Sequence, residues 1–139
     1  MIAYLDSSVL LRMILGQPGR LAQWKQIETG VASALAEVEC LRTLDRLRLA
    51  EGLEDTTVAL RREDLFRTLD ALELVEVTRP VLERASQPMP TALGTLDAVH
   101  LATALLWREH SGAADLVLAT HDAALGLAAR ASGLAVIGL

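Results

Sequence analysis

A single cysteine, a single tyrosine, a single phenylalanine and two tryptophans are all that this chain of 139 residues holds of those types. The lone Cys40 excludes an internal disulfide and a cysteine-based zinc site. With aromatics at 3%, packing has to come from Ala, Leu and Val. Long apolar runs are missing as well. Stretches such as Leu101 to Trp107 stop well short of the ~18 residues a membrane crossing needs. No basic stretch precedes Asp6, which falls where a signal-peptide core would run, so the expectation is a cytoplasmic protein with no membrane contact.

Lysine is nearly absent too. Lys25 is the only one, and the other 12 of the 13 basic residues are arginine. That bias reflects either a need for planar forks suited to phosphates and carboxylates or a plain coding preference. Against 18 acidic residues the formal net charge is −5, which argues against a nucleic-acid coat held by bulk positive charge. An enzyme acting on nucleic acid stays open, because clustered carboxylates offset by bound metal contribute such a charge.

What is present is a folding sequence. Hydrophobic residues make up 52% and charged residues 22%, which excludes a disordered or low-complexity chain. The length suits one domain over residues 1–139. Ile2–Leu5, Val31-Ala32, Leu74–Val77, Leu116–Ala119 and Leu134–Ile137 are short runs, mostly apolar without alternation, which read as strands buried on both faces. Helical segments alternate with them. One is capped by Ser7 or Ser8; another by Ser33, running to about Ala50 and closed by Gly52; a third opens at Thr56 or Thr57. Pro80 starts a short helix, and Thr95 caps one running to about Glu109. The pattern predicts an α/β fold, with a central parallel sheet of about four to five strands flanked by helices on both sides.

Ligands of such sheets collect beyond the carboxyl ends of the strands. Asp6 ends the first strand there, and Asp122 follows the fourth in Leu-Val-Leu-Ala-Thr-His-Asp. Each by itself also suits a helix N-cap. Asp97 falls in the first turn of an otherwise Ala- and Leu-rich helix, where it either pairs with the helix dipole or joins a site. Glu37 and Glu39 are two positions apart and point ~200° from one another. Periodicity favours Glu39, which shares a face with Leu35. Carboxylates converging at one sheet end need a counter-charge, and hard oxygen donors without His or Cys suit Mg²⁺ or Mn²⁺. That chemistry is metal-assisted hydrolysis of a phosphodiester.

Tyr4-Leu5-Asp6-Ser7-Ser8, Ser33-Ala34-Leu35-Ala36-Glu37-Val38-Glu39, Thr95-Leu96-Asp97-Ala98-Val99-His100-Leu101-Ala102-Thr103-Ala104 and Leu118-Ala119-Thr120-His121-Asp122 resemble, in order and spacing, the PIN-domain ribonucleases. The subgroup they look like is the VapC-type toxins of bacterial type II toxin–antitoxin systems. The resemblance implies a metal-dependent endoribonuclease with Mg²⁺ (or Mn²⁺) held by Asp6, Glu39, Asp97 and Asp122. Ser7, Ser8 and Thr120 match supporting hydroxyl positions. It further implies an RNA substrate, a homodimer, no protein nucleophile, and a cognate VapB-like antitoxin that inserts a segment near the site. One or two metal ions fit equally. Two features depart from the family. Gly94 stands where many relatives carry a basic residue. Residues from Arg108 to Ala114 read as an extended loop, which puts Asp122 more in question than the other acids.

Other residues read more simply. His100, three positions after Asp97, is expected to be a packed structural histidine rather than a ligand. His121 is expected in an exposed loop, His110 at a helix end, Cys40 in the core and Asp115 in a turn. Arg42, Arg46, Arg48, Arg61, Arg62 and Arg67 line an RNA path, face an acidic antitoxin, or belong to a solvated helix surface shared with Asp45, Glu63 and Asp64. Two other functions compete. One is a catalytically silent PIN-fold protein-binding module. The other is a haloacid-dehalogenase-like phosphatase, which needs an Asp where Ser8 stands and a lysine near the sheet end, far from Lys25.

Overall fold

The computed structural model describes residues 1–139. Five strands, β1 (Ile2–Leu5), β2 (Thr29–Ser33), β3 (Glu73–Val75), β4 (Val117–Ala119) and β5 (Ala135–Ile137), form one sheet in the order β3-β2-β1-β4-β5. All four pairings are parallel, with Tyr4 level with Val31 on one side and Leu118 on the other. The chain steps outward from β1 through β2 to β3, then returns to the far side of β1 for β4 and β5. That reversal places a topological switch point between β1 and β4, where such sheets open a crevice at their carboxyl ends.

The connections are helical: α1 (Ser7–Ile14), α2 (Ala34–Glu51), α3 (Asp55–Asp70), α4 (Arg79–Ala85), α5 (Thr95–Ser111) and α6 (Ala123–Ala131). Strand side chains alternate between faces, and the core divides accordingly. Ala3 and Leu5 pack with Val9, Leu10 and Ile14 of α1, Ala36, Cys40 and Leu44 of α2, and Leu65 and Leu69 of α3. On the opposite face Tyr4, Val31 and Leu118 pack with Leu101 and Leu105 of α5 and Leu125 and Ala129 of α6. Being covered twice is why β1 reads as an unbroken apolar run.

Several element ends differ from the sequence expectation. Asp6 itself caps α1, accepting from the Ser8 backbone N–H, so neither serine is the cap. Ser33 caps α2 as expected, accepting from Leu35 N–H at 3.1 Å, and Gly52 ends it in the left-handed conformation. Helix α3 begins at Asp55 after Glu54, ahead of the two threonines. Gly94 is the N-cap of α5, and Thr95 is its first helical residue. Asp97 stays in the first turn. The segment from Arg108 is not a loop: α5 continues to Ser111 and ends at the left-handed Gly112. Arg108 to Ser111 therefore lengthen α5, and only residues 112–116 form the connection to β4.

The last strand is held against the site edge. Thr120 N–H donates to the Ile137 carbonyl at 3.0 Å, and Gly138 lies at φ 98° with its backbone against Thr120. A Cβ at Gly138 would stand 2.7 Å from the Thr120 carbonyl oxygen. Gly138→Ala combines this clash with a backbone conformation that side chains disfavour. It is expected to destabilise the fold by about 1–3 kcal/mol, read as a lower urea midpoint at unchanged slope.

Candidate active site

The site begins with Asp6, which is 4% exposed. Its position follows from the strand: Tyr4 and Asp6 are two residues apart and face the same side, toward α5. A lone carboxylate so placed is costly unless hydrogen-bonded, and Asp6 is well supplied. Oδ2 accepts from Ser8 Oγ at 2.6 Å, Thr120 Oγ1 at 2.9 Å and Ser8 N–H at 3.4 Å; Ser7 Oγ lies 3.5 Å from Oδ1. Both hydroxyls are themselves fixed. Ser8 Oγ accepts from His121 N–H at 3.0 Å and Thr120 Oγ1 from Asp122 N–H at 2.9 Å. The ends of β1 and β4 are thereby joined through side chains at the switch point.

Asp122 is half-buried and caps α6, its Oδ1 accepting from Leu125 N–H at 2.9 Å. The capping and site readings of this residue are therefore compatible. Glu39, whose side chain is 21% exposed, reaches from α2 to His100 on α5, with Oε1 2.5 Å from Nε2. Asp97, half-buried, is tied by no hydrogen bond, unlike the other three. Its carboxyl is raised above the ordinary value, first by burial and then by the charges of Asp122, Asp6 and Glu39, with His100 pulling the other way. The four acids thus share one electrostatic field, although no three His, Cys, Asp or Glu side chains converge tightly enough to make a ready metal cage.

His100 is the residue that sequence reasoning undervalued. It is fully buried, as expected of a structural histidine, but its partners are site residues. Nδ1 lies 2.8 Å from the Tyr4 hydroxyl, and Nε2 faces both Glu39 and, at 3.8 Å, Asp6 Oδ1. Burial by itself depresses its pKa. The hydrogen bond to Glu39 and the charges of Asp6, Glu39 and Asp97 outweigh burial and leave it raised. The signal in the sequence was a polar ring inside an Ala- and Leu-rich helix, which has to find partners. His121 is a correction: half-buried, it donates from Nδ1 to the Gly138 carbonyl at 2.6 Å. Its partner is the residue just after β5, a contact that local sequence does not announce.

The hydroxyls next to Asp6 and the nearby thiol are occupied or buried. Ser8 and Thr120 spend their hydroxyl protons on Asp6, and Cys40 is buried with its thiol pushed up to about 12, chiefly by burial. Glu39 and Ser7 border a groove of about 320 Å³ that also carries Arg42, Arg46, Val38 and Leu96. Farther along the helix surfaces Arg48 pairs with Asp45 at 2.9 Å, Arg67 with Asp64 at 3.4 Å, and Arg61 donates to the Ile14 carbonyl at 2.8 Å. Arg48 and Arg67 thus pair within their own helices, where such exposed pairs contribute little to stability, whereas Arg61 ties α3 to the end of α1.

An all-parallel five-stranded sheet with acids gathered at its switch point describes a class of α/β proteins with a polar site at the strand ends. Comparison narrows that class: the PIN domain profile matches residues 3–136, and the chain belongs to the PIN domain family. It is closely related to VapC-type ribonucleases. It is 36% identical over 137 residues to ribonuclease VapC46 of Mycobacterium tuberculosis, covering 96% of this chain and 95% of that one. Ribonuclease VapC35 of the same species is 37% identical over 139 residues, covering 96% and 94%. Among solved structures, a toxin–antitoxin complex from Klebsiella pneumoniae superposes with a TM-score of 0.67 at 16% identity, covering 97% of this chain and 95% of that chain. No helix is long and apolar enough to cross a membrane.

Proposed function

We propose that this protein is a VapC-like toxin that hydrolyses RNA phosphodiester bonds. In this reading Mg²⁺ or Mn²⁺ is held by Asp6, Glu39, Asp97 and Asp122, and a cognate VapB-like antitoxin neutralises a homodimer. The observation that carries the reading is the raised pKa of Asp97, which burial and then the charges of the other three carboxylates make reluctant to ionise. Mutual repulsion among hard oxygen donors is what a divalent cation relieves, so this donor set fits the ion. When bound, such a cation supplies an acidified water and charge stabilisation at the departing oxygen.

The chain's own residues do the rest. Ser8 and Thr120 hold Asp6 in one orientation, and the first turn of α6 holds Asp122. Asp97, without a hydrogen bond, keeps both oxygens free. Water is the attacking group in this reading, with Ser8 and Thr120 engaged on Asp6. The protein-binding-module reading predicts tolerance of near-isosteric changes among these acids, and the phosphatase reading lacks its second Asp because Ser8 occupies that place.

The deciding experiment compares the wild type with Asp97→Asn, each induced briefly in a bacterial host, with RNA 5′ ends mapped across the transcriptome. New ends at defined sites with the wild type alone are expected. Identical maps from two folded, equally expressed proteins would leave the binding module as the better account.

A further inference from the structure

We propose that His100 is a positioning residue that aims the Glu39 carboxylate into the acidic centre; the inference rests on the reading of that centre given above. The ring is fully buried and both its nitrogens face polar groups. Nε2 looks toward two carboxylates, Glu39 Oε1 at 2.5 Å and Asp6 Oδ1 at 3.8 Å. Ionised carboxylates only accept, so Nε2 carries a hydrogen whether the ring is neutral or charged. On the other side the Tyr4 phenol, 2.8 Å from Nδ1, keeps its proton at neutral pH as phenols of pKa ~10 do. In the neutral ring Tyr4 therefore donates to Nδ1, and the hydrogen on Nε2 points at Glu39.

The arrangement answers a geometric need. Glu39 arises from α2 and Asp6 from β1, so a long, flexible side chain has to be brought to a fixed point across elements. Tyr4 stands on the same strand and face as Asp6, two residues away. Its ring meets His100 edge-on, with centroids 6.0 Å apart at 70°. The strand that carries Asp6 thus also orients the imidazole that restrains Glu39. One oxygen of Glu39 is engaged by this contact, and the other is left for whatever the centre binds. Outer partners of this kind commonly set ligand geometry, and their loss costs about 10–100-fold in metal affinity.

The test uses the whole chain and two readouts. In the metal-free wild type, ¹⁵N-resolved histidine side-chain spectra are expected to show His100 Nε2 bearing its hydrogen; an unprotonated Nε2 would overturn the proposal. Mn²⁺ titrations followed by electron paramagnetic resonance then compare His100→Ala with His100→Gln, whose amide nitrogen lies the same number of bonds from Cβ as Nε2. His100→Ala is expected to bind about 10–100-fold more weakly, and His100→Gln to stay within about 3-fold of wild type. Unchanged binding by folded His100→Ala, or equal loss in both variants, would make the ring a packing element only. If His100→Ala does not fold, His100→Gln and the wild-type spectrum decide. A wild type that binds no Mn²⁺ sinks the metal reading instead, and the spectrum alone then decides whether His100 holds Glu39.

Discussion

Asp6→Asn is expected to abolish RNA cleavage, by about 10²-fold or more, while the protein stays folded. The two substitutions available at this position separate function from architecture. Asparagine keeps an oxygen where Oδ2 accepts from Ser8 Oγ, Ser8 N–H and Thr120 Oγ1. Its amide nitrogen then falls on the Oδ1 side, where the Ser7 hydroxyl is able to turn and accept. The helix cap and the tie between β1 and β4 survive, and one negative charge leaves a repelling cluster. Asp6→Ala removes the acceptor altogether. It strands the α1 cap, the buried Thr120 hydroxyl and the half-buried Ser8 hydroxyl, at a cost of about 1–2 kcal/mol for the cap alone. Equal inactivity with a lower melting temperature for Asp6→Ala only is the expected pattern. Cleavage retained by folded Asp6→Asn would remove Asp6 from the catalytic centre.

A divalent cation is expected to raise the melting temperature markedly. At about 100 times the dissociation constant, binding to the native state alone stabilises by about 2.7 kcal/mol, roughly 5–10 °C for a domain of this size. The metal-free protein should show the converse in its pH dependence. The native Asp97 carboxyl holds its proton more tightly than in the unfolded chain, because of burial and the charges of Asp122, Asp6 and Glu39. Below the unfolded value, ~3.9, both states are protonated and Asp97 contributes no penalty. As pH rises through the window between that value and the raised native one, the native state loses stability relative to the unfolded state. Above the window the penalty is complete. Asp97→Asn should remove this slope in chelator and also reduce the gain from added Mn²⁺. Melting curves from pH 4 to 8, with chelator and with Mn²⁺, test both. A cation response that survives Asp97→Asn undiminished would place binding elsewhere.

The parts of the fold that were legible had local causes. Apolar runs at Ile2–Leu5 and Val117–Ala119 mark strands covered on both faces. Ser33 and Gly52 bracket α2 because capping and a left-handed turn depend on a few neighbouring residues. Element ends that turned on competing caps were less legible: Asp6 against Ser7 or Ser8, Glu54 against Thr56, Gly94 against Thr95. Asp6 caps through its carboxylate, whereas Glu54 and Gly94 make no side-chain cap bond, so no local capping signal marks where α3 and α5 begin. The stretch from Arg108 to Ser111 misled for a related reason. Polar residues at an exposed helix end look like loop until the turns before them are seen to continue.

The sequence by itself determined the alternation of strands and helices, the acids at strand ends and the family pattern, since these rest on composition, period and spacing along the chain. Only the tertiary structure decided which partners those acids have. That Thr120 secures Asp6 from 114 residues away, that His100 joins Tyr4 to Glu39, and that His121 holds Gly138 just after β5 are contacts between remote segments. The same holds for Asp97, whose raised pKa comes from burial and from three carboxylates on other elements. Hydrogen bonds and charges act through space over a few ångströms, and the order of strands in the sheet sets which distant residues come that close.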